Sequence, residues 1–340
     1  MEIRLCSKEE YPQMLDMMND AFDYGRENNW FQQEYSHCTP YPSIATDEEI
    51  ERHFVCFIDG QIAGALGAYP IDFTVSEISG DKKTIRGYGI GQVSCRKDCR
   101  NQGVMSALLK ESEKQMQNQE RWLGVLGGDR FRYGNFGYDF FGSQITFGID
   151  KRLLARQIDG GGIEIRQATT ADLNELNEAY ETLPSYAKRN AREWELRLMR
   201  RNYVWQIGTQ NGKKGYMAFH TPELIFEMYG DAATLASMLQ HRLNKLENGS
   251  GLKVMYHHCH NDPVGEMLYN SAAWINYIPI GMHVVNNPHG LLRELDIKHV
   301  LTPPKQKLLV RHLLGTLPSR FKTEFLTPPL GIWLSRADKV

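Results

Sequence analysis

The sequence predicts an α/β fold of the mixed-sheet, α+β kind, built as two tandem copies of one domain with a short extension behind them. Three observations predict it. A strand-then-helix opening occurs twice, a β-hairpin signature follows it each time, and a glycine run separates the two copies.

The first opening is Glu2-Ile3-Arg4, followed by Ser7, Glu10 and an apolar stripe at Tyr11, Met14, Leu15, Met18 and Phe22. The second is Glu164-Ile165-Arg166, followed by Thr169, Asp172 and a stripe at Leu173, Leu176, Tyr180 and Leu183. Both stripes have the spacing that lines one face of a helix. In each copy a hydroxyl residue precedes an acid by three positions, the outline of a capping box.

Each helix leads to a hairpin. Phe54-Val55-Cys56-Phe57-Ile58 meets Asp59-Gly60 and continues as Gln61-Ile62-Ala63-Gly64; Tyr203-Val204-Trp205-Gln206-Ile207 leads to Asn211-Gly212 and then Tyr216-Met217-Ala218-Phe219. Asp-Gly and Asn-Gly supply the positive φ angles that a tight hairpin turn needs. The same order twice is the mark of a duplicated domain. The join falls at Asp159-Gly160-Gly161-Gly162, a flexible run. Residues 1–150 are then the first copy and 163–285 the second. Residues 286–340 fit neither; they open with Asn286-Asn287-Pro288 and carry Pro303-Pro304, a helix around residues 305–314 and Pro328-Pro329. They are too few for a robust domain and should pack on the other two.

Composition narrows the function classes. The 340 residues allow a full core in each copy, and 41% hydrophobic with 24% charged residues is ordinary for a globular protein. With 39 basic against 41 acidic side chains, a net charge of -2, there is no electrostatic case for nucleic acid or an anionic membrane. The N-terminus, Met1-Glu2-Ile3-Arg4, lacks the apolar stretch of a signal peptide. No run approaches the ~20 apolar residues that span a bilayer. Six cysteines do not make a disulfide framework. A cytoplasmic protein without a nucleic-acid or membrane partner is expected.

The first copy holds a candidate phosphate site. Tyr88-Gly89-Ile90-Gly91-Gln92-Val93-Ser94-Cys95 reads as a strand, and a helix opens at Val104 with Val104/Leu108 and Met105/Leu109 on one face. Between them lies Arg100-Asn101-Gln102-Gly103, an Arg-x-x-Gly loop. The first amides of a helix have no intrahelical partner, and with the positive end of the helix dipole they attract phosphate. Gly103 lets the backbone approach the phosphate oxygens, and Arg100 adds charge or braces the loop. Such a loop is common before helices; its place after the hairpin and long strand gives it weight. In the second copy Leu224-Ile225-Phe226-Glu227-Met228-Tyr229-Gly230-Asp231 passes straight into a helix through Leu235, Met238 and Leu239. No loop intervenes, so this copy is degenerate, shaping an acceptor cleft and burying surface against the first.

Other clusters carry less. His257-His258-Cys259-His260 alternates faces if it is a strand, so at most two of the four share a face, short of a four-ligand metal site. No metal is expected. Cys95 and Cys99 have no base placed beside them by sequence, and Cys95 reads as a backbone contributor. Gly89-x-Gly91 lacks the third glycine of a dinucleotide fingerprint.

On Val93-Ser94-Cys95, on Arg100-Asn101-Gln102-Gly103-Val104-Met105 and on the helix that follows, the chain resembles the GNAT superfamily of N-acetyltransferases. In that family the splayed strand end holds the pantetheine arm of acetyl-CoA and the loop amides hold its pyrophosphate. Gly127-Gly128-Asp129-Arg130-Phe131-Arg132-Tyr133-Gly134-Asn135-Phe136-Gly137-Tyr138 resembles the matching stretch of the enhanced-intracellular-survival (Eis) type enzymes, which also carry two GNAT-like domains. The resemblance spans residues 1–285. It implies acetyl-CoA as cosubstrate, held by Val93, Ser94, Cys95, Arg100, Asn101, Gln102, Gly103, Val104, Met105 and Ser106. It implies Tyr133 as the general acid that protonates the coenzyme A sulfur. Direct acetyl transfer to a primary amine of a small molecule or peptide follows, and a homo-oligomer by analogy with multimeric relatives.

The chain departs from the family in two places. Met105 stands where the family has a small residue, and the tail after Asn286 has about half the length of the sterol-carrier-like third domain of Eis-type proteins. The terminal carboxylate of that domain acts as base; here the base lies between a water chain and the Val340 carboxylate. The acceptor wall of a GNAT fold follows the first helix, where Asp20, Asp23, Tyr24, Glu27, Trp30, Phe31, Glu34 and Tyr35 mix acids with aromatics. That mixture suits a cationic amine, and suits equally a solvated face beside core aromatics. Two alternatives stand beside the enzyme. One is a catalytically silent acyl-CoA-binding regulatory protein, against which the Tyr133 motif argues. The other is a tandem-GNAT aminoacyl transferase using charged tRNA; such proteins lack the intact coenzyme loop and tend to carry basic surface.

Overall fold

A computed structural model of the chain describes residues 1–22, 39–76, 81–158, 160–200, 202–246, 251–256, 262–297 and 301–315. The first copy runs β1 (Glu2–Leu5), α1 (Tyr11–Ala21), α2 (Asp47–Ile50), β2 (His53–Ile58), β3 (Gln61–Ser76), β4 (Lys82–Cys95), α3 (Val104–Asn118), β5 (Leu123–Leu126), α4 (Arg130–Tyr133) and β6 (Asp139–Phe141). Next come β7 (Gln144–Ile149) and α5 (Lys151–Leu154). The second copy runs β8 (Glu164–Gln167), α6 (Leu173–Tyr180), β9 (Ser185–Ala187), α7 (Ala191–Met199), β10 (Val204–Gln210), β11 (Lys213–Thr221), β12 (Leu224–Gly230), α8 (Ala232–Leu243), β13 (Leu252–Tyr256), α9 (Pro263–Ser271), β14 (Ala272–Ile278) and β15 (Gly281–Val285). The extension contributes α10 (Pro288–Glu294) and α11 (Pro303–Leu313).

The repeat extends to single interactions. Arg4 of β1 pairs with Glu10 at 2.5 Å, and Arg166 of β8 pairs with Asp172 at 2.7 Å. Thr169 and Asp172 form both halves of a capping box; at the first copy Glu10 takes the Ser7 amide at 3.1 Å. Both hairpin turns have two successive left-handed residues, φ 50° and 74° at Asp59-Gly60 and 52° and 76° at Asn211-Gly212, the geometry of a type I′ turn.

The sheets do not divide where the linear boundaries fall. The first is ordered β1-β2-β3-β4-β5-β15-β6, with β9 added on β3; the second is β14-β7-β13-β12-β11-β10-β8. The copies have exchanged one strand each. β15 fills the place between β5 and β6, pairing Met282 with Leu126 and with Phe140. β7 fills the equivalent place between β13 and β14, pairing Phe147 with Val254 and with Ile275. So β7, inside the expected 1–150 copy, belongs to the second sheet, and β15, inside the expected 163–285 copy, belongs to the first. A physical reason lies between β14 and β15. Pro279 holds φ near −65°, so the primed turn that would fold β15 back on β14 cannot start there. With β15 committed to the first sheet, the gap in the second is left for β7.

The described part of the extension packs against both copies. Leu291, Leu292, Leu295, Leu309, Val310, Leu313 and Leu314 are buried in the same cluster as Phe73, Trp122, Leu123 and Phe141 of the first copy and Tyr180 and Trp205 of the second. Glu294 takes the Arg86 guanidinium at 2.6 Å, and Arg311 reaches Asp139 at 2.8 Å. Among the described residues no helix is long and apolar enough to cross a membrane.

A second tie joins the copies through β9, whose residues pair Ser185 with Val75 and Ala187 with Phe73 of β3. Just beyond it, the side chains of Arg189 and Glu227 are both 0% exposed, and the two groups meet in a fork of two hydrogen bonds, 2.9 and 2.7 Å. The guanidinium lies 3.9 Å from the Tyr180 ring centroid and 4.5 Å from that of Trp194. Removing one partner of such a pair strands the other as a buried charge. Arg189→Ala should therefore cost about 3–5 kcal/mol, read from the urea midpoint. The strand exchange makes a separate prediction: residues 1–150 expressed alone lack β15 and should show no cooperative thermal transition by circular dichroism, and adding residues 163–340 should restore it.

Candidate functional site

The site grows from the way β4 and β5 part. They pair in parallel only at Gly87–Leu123, Tyr88–Gly124 and Gly89–Val125. Beyond Gly89, β4 continues to Cys95 alongside β3, while β5 ends at Leu126. The seam stays open on that side. Register jumps along it as well. Ala65 faces Ser94 and Gly67 faces Gly91, so Gln92 and Val93 stand opposite Leu66 alone. This is a β-bulge, with Gln92 at φ 48°, and a bulge releases backbone groups from the ladder.

The loop beyond the strand is braced from outside. Arg96 is held by Asp98 at 2.7 Å and Gln61 at 3.0 Å, over the 3-10 turn Lys97–Cys99. Asn101 and Gly103 take left-handed φ of 64° and 82°. Gly103 is the N-cap of α3, and no side chain caps it. A Cβ at Gly103 would meet nothing within 4 Å, so the turn that opens α3 is uncrowded on that side. The same Cβ test at Gly64 meets Val104 at 2.5 Å and the Ser94 carbonyl at 2.8 Å; that glycine lets α3 lie close on β3.

A cleft of ≈ 760 Å³ occupies this mouth, bounded by Ala21, Phe22, Val93, Ser94, Cys95, Cys99, Arg100, Asn101, Gly103, Val104, Met105, Ser106 and Arg132. It gathers Val93, Ser94, Cys95, Arg100, Asn101, Gly103, Val104, Met105 and Ser106 from the sequence reading. Gln102 does not line it; its amide turns back to the Asp98 carbonyl at 3.2 Å. Arg100 reaches the Ala21 carbonyl at 3.4 Å while still lining the cleft, so it braces and adds charge together. Ser94 is buried, its hydroxyl on the Ala65 carbonyl at 3.4 Å. Burial raises the Cys95 thiol above its usual range, which keeps it protonated and a poor nucleophile. Ala21, Phe22, Cys99 and Arg132 were missed. Arg132 was within reach, because a cation inside the Gly127–Tyr138 motif has an obvious use beside a polyanion.

Tyr133 lies one residue from that cation, at the end of α4. Asp129 caps the turn through the Phe131 amide at 2.8 Å, and the Asp129 carbonyl takes the Tyr133 amide at 3.0 Å. The Tyr133 ring stands edge-on to Tyr138, centroids 6.1 Å apart. Gly128 has φ 138°, and a Cβ there would press on the Tyr133 ring at 2.9 Å. The residue is 7% exposed and does not line the cleft; among the described residues its hydroxyl takes no hydrogen-bond partner. Burial raises its pKa, with Arg132 opposing.

The equivalent place in the second copy is closed. Asp231 is the N-cap of α8, and its carboxylate takes the Thr234 amide at 3.0 Å and the Thr234 hydroxyl at 2.9 Å. Lys213 neutralises it at 3.0 Å. A protein carboxylate thus holds the position that a phosphate would need. Of the expected acceptor wall only Asp20 is described, on α1; Asp23, Tyr24, Glu27, Trp30, Phe31, Glu34 and Tyr35 lie outside the described residues, as do His257, His258, Cys259, His260 and Val340.

Residues 2–141 match the family described as the acetyltransferase (GNAT) domain. Among curated proteins no sequence matches the chain. Solved structures share its fold. A GCN5-related N-acetyltransferase from Kribbella flavida is 14% identical with a TM-score of 0.62, covering 84% of this chain and 70% of its own. A probable N-acyltransferase from Enterococcus faecalis is 18% identical with a TM-score of 0.63, covering 86% and 74%. Eis1 from Mycobacterium abscessus is 16% identical with a TM-score of 0.57, covering 84% and 74%.

Burial of Tyr133 sets an expectation that needs no substrate. A phenol whose pKa is raised by burial stays protonated to higher pH than a free one. Ultraviolet difference titration of the wild type against Tyr133→Phe should place the missing phenolate transition at higher pH than that of a free tyrosine.

Proposed function

From the match of residues 2–141 to the acetyltransferase (GNAT) domain family, we propose that the chain moves an acetyl group from acetyl-CoA directly to a primary amine of a small molecule or peptide. One observation carries the reading: the uncapped N-terminus of α3, opened by Gly103 beside the parted strands, against its counterpart in the second copy that Asp231 has closed. The amides of Val104, Met105 and Ser106, with Arg100, would take the pyrophosphate. Arg132 supplies a second charge at the rim. Val93, Ser94 and Cys95 would run beside the pantetheine arm. Fold-likeness to Eis1 supports an Eis-like arrangement.

The neutral amine attacks the thioester carbonyl, the carbon–sulfur bond breaks, and the amine loses a proton to a water chain or to the Val340 carboxylate. The amides released at the Gln92–Val93 bulge favour the developing oxyanion. Tyr133 lies off the cleft lining but next to Arg132, which lines it, and would give its proton to the departing coenzyme A sulfur. A phenol of raised pKa is a weaker acid than a thiol, so the transfer has to accompany bond breaking rather than precede it. The near-balanced net charge supports a reading without a nucleic-acid partner, in the cytoplasmic setting expected from the sequence. The exposed Trp274 and Tyr277 of edge strand β14 support self-association.

Calorimetric titration with acetyl-CoA tests the reading. Wild type should bind; Gly103→Asp, which installs the carboxylate cap of the second copy, should not. A wild type that does not bind would overturn the proposal. Tyr133→Phe should lower kcat at least ~100-fold in a thiol-release assay over a panel of amines, with acetyl-CoA affinity little changed. Unchanged turnover would remove Tyr133 from the chemistry.

A further inference from the structure

Gln92 is the one residue of β4 with a left-handed φ, 48°, a conformation that is strained for a non-glycine residue. It sits in the bulge that leaves the Val93 backbone free of the ladder. Something must hold it there, and the described residues contain a buried chain that ends on its side chain. The Tyr69 hydroxyl contacts both the Gln92 side-chain amide and His53 Nε2, the latter at 2.9 Å. His53 Nδ1 lies 3.1 Å from the Ile50 carbonyl.

Donor and acceptor roles along this chain are forced. A carbonyl only accepts, so His53 Nδ1 carries a proton. His53 is 0% exposed, and a fully buried imidazole is neutral; its pKa is pushed down to about 4 by that burial. Its Nε2 is therefore an acceptor, and Tyr69 must donate to it. The structure sets Gln92 Oε1 on the Tyr69 hydroxyl; with the hydroxyl proton given to His53, the Gln92 amide is to be read turned end for end, so that its N–H donates to the Tyr69 oxygen. The fold makes room for this. Gly67 has no Cβ, and one placed there would overlap the Tyr69 hydroxyl. The His53 ring stands edge-on between Tyr11 of α1 and Tyr69, with centroids 5.6 and 5.5 Å away.

We propose that His53 and Tyr69 are positioning residues: they lock the Gln92 amide and so keep the β4 bulge, and the Val93 amide with it, in the shape that meets the thioester carbonyl. The proposal rests on the acyl-transfer reading above, in which that carbonyl lies at the bulge. His53 and Tyr69 touch no reacting atom in it.

The test is a double-mutant cycle with an independent structural readout. Glycine takes a left-handed φ at no cost, so a Gln92→Gly bulge no longer depends on the chain. Tyr69→Phe should lower kcat about tenfold in the wild-type background, with acetyl-CoA KM within about twofold. In the Gln92→Gly background the same substitution should change kcat less than about twofold, whatever the level of that background. Equal loss in both backgrounds, or no loss in either, would overturn the proposal. Amide hydrogen exchange of residues 90–95 without coenzyme should quicken in Tyr69→Phe and not in Tyr69→Phe on Gln92→Gly relative to Gln92→Gly alone. Unchanged exchange in Tyr69→Phe likewise overturns it. Wild-type turnover reports on the acyl-transfer reading, and exchange reports on the chain with or without turnover, so the two failures are distinguishable.

Discussion

The backbone ladder of β15, with β5 on one side and β6 on the other, is the interaction on which the rest depends. β5 meets β4 over only three residue pairs and meets β15 over four, Leu123–Val285 to Leu126–Met282. The open seam that makes the cleft therefore has one wall fixed from the far end of the chain. The Tyr133 turn spans the gap between β5 and β6, so the strand that fills the gap also fixes the turn. Asp139 at the start of β6 gathers further ties: Arg130 from the turn, Arg311 from the extension, and His283 of β15, whose Nδ1 lies 3.0 Å from the Asp139 carbonyl. The second copy lacks a phosphate cradle yet is built into the first one's site.

The Arg189–Glu227 pair serves the same union in another way. Two charges taken wholly out of water gain little net stability over apolar residues of the same shape. What such a pair supplies is a single permitted geometry, because each oxygen and each guanidinium face is committed, the faces to Tyr180 and Trp194. Arg189 follows the short strand that joins β3 of the first copy, and Glu227 lies mid-strand in β12 of the second. The aromatic box thus fixes how one copy meets the other, and Arg192 repeats the tie on Glu49 at 3.0 Å.

Local features were legible in the sequence because their causes are local. Asp59-Gly60 and Asn211-Gly212 are turns for reasons contained in two residues, and the α3 opening at Val104 follows from Gly103. The strand exchange was hidden. Gln144–Ile149 and Gly281–Val285 read as strands from their composition, but nothing in a strand's pattern names its neighbour, which pairing at a distance decides. Asp231 was in plain view as an N-cap residue before a helix; the sequence showed a loop missing, and only the geometry shows a carboxylate in its place. The His53–Tyr69–Gln92 chain joins three strands and leaves no motif, since its members are brought together by register alone.

A consequence of the exchanged strands concerns birth rather than chemistry. During synthesis β1 to β6 emerge first and carry every residue of the cleft, yet the seat between β5 and β6 stays vacant until β15 leaves the ribosome. The nascent first half waits with two strand edges bare, a state prone to wrong pairing. A complete cleft thus arrives late, after the second copy has been made, and a ribosome that stalls within that copy releases a product with every cleft residue and an unfilled sheet.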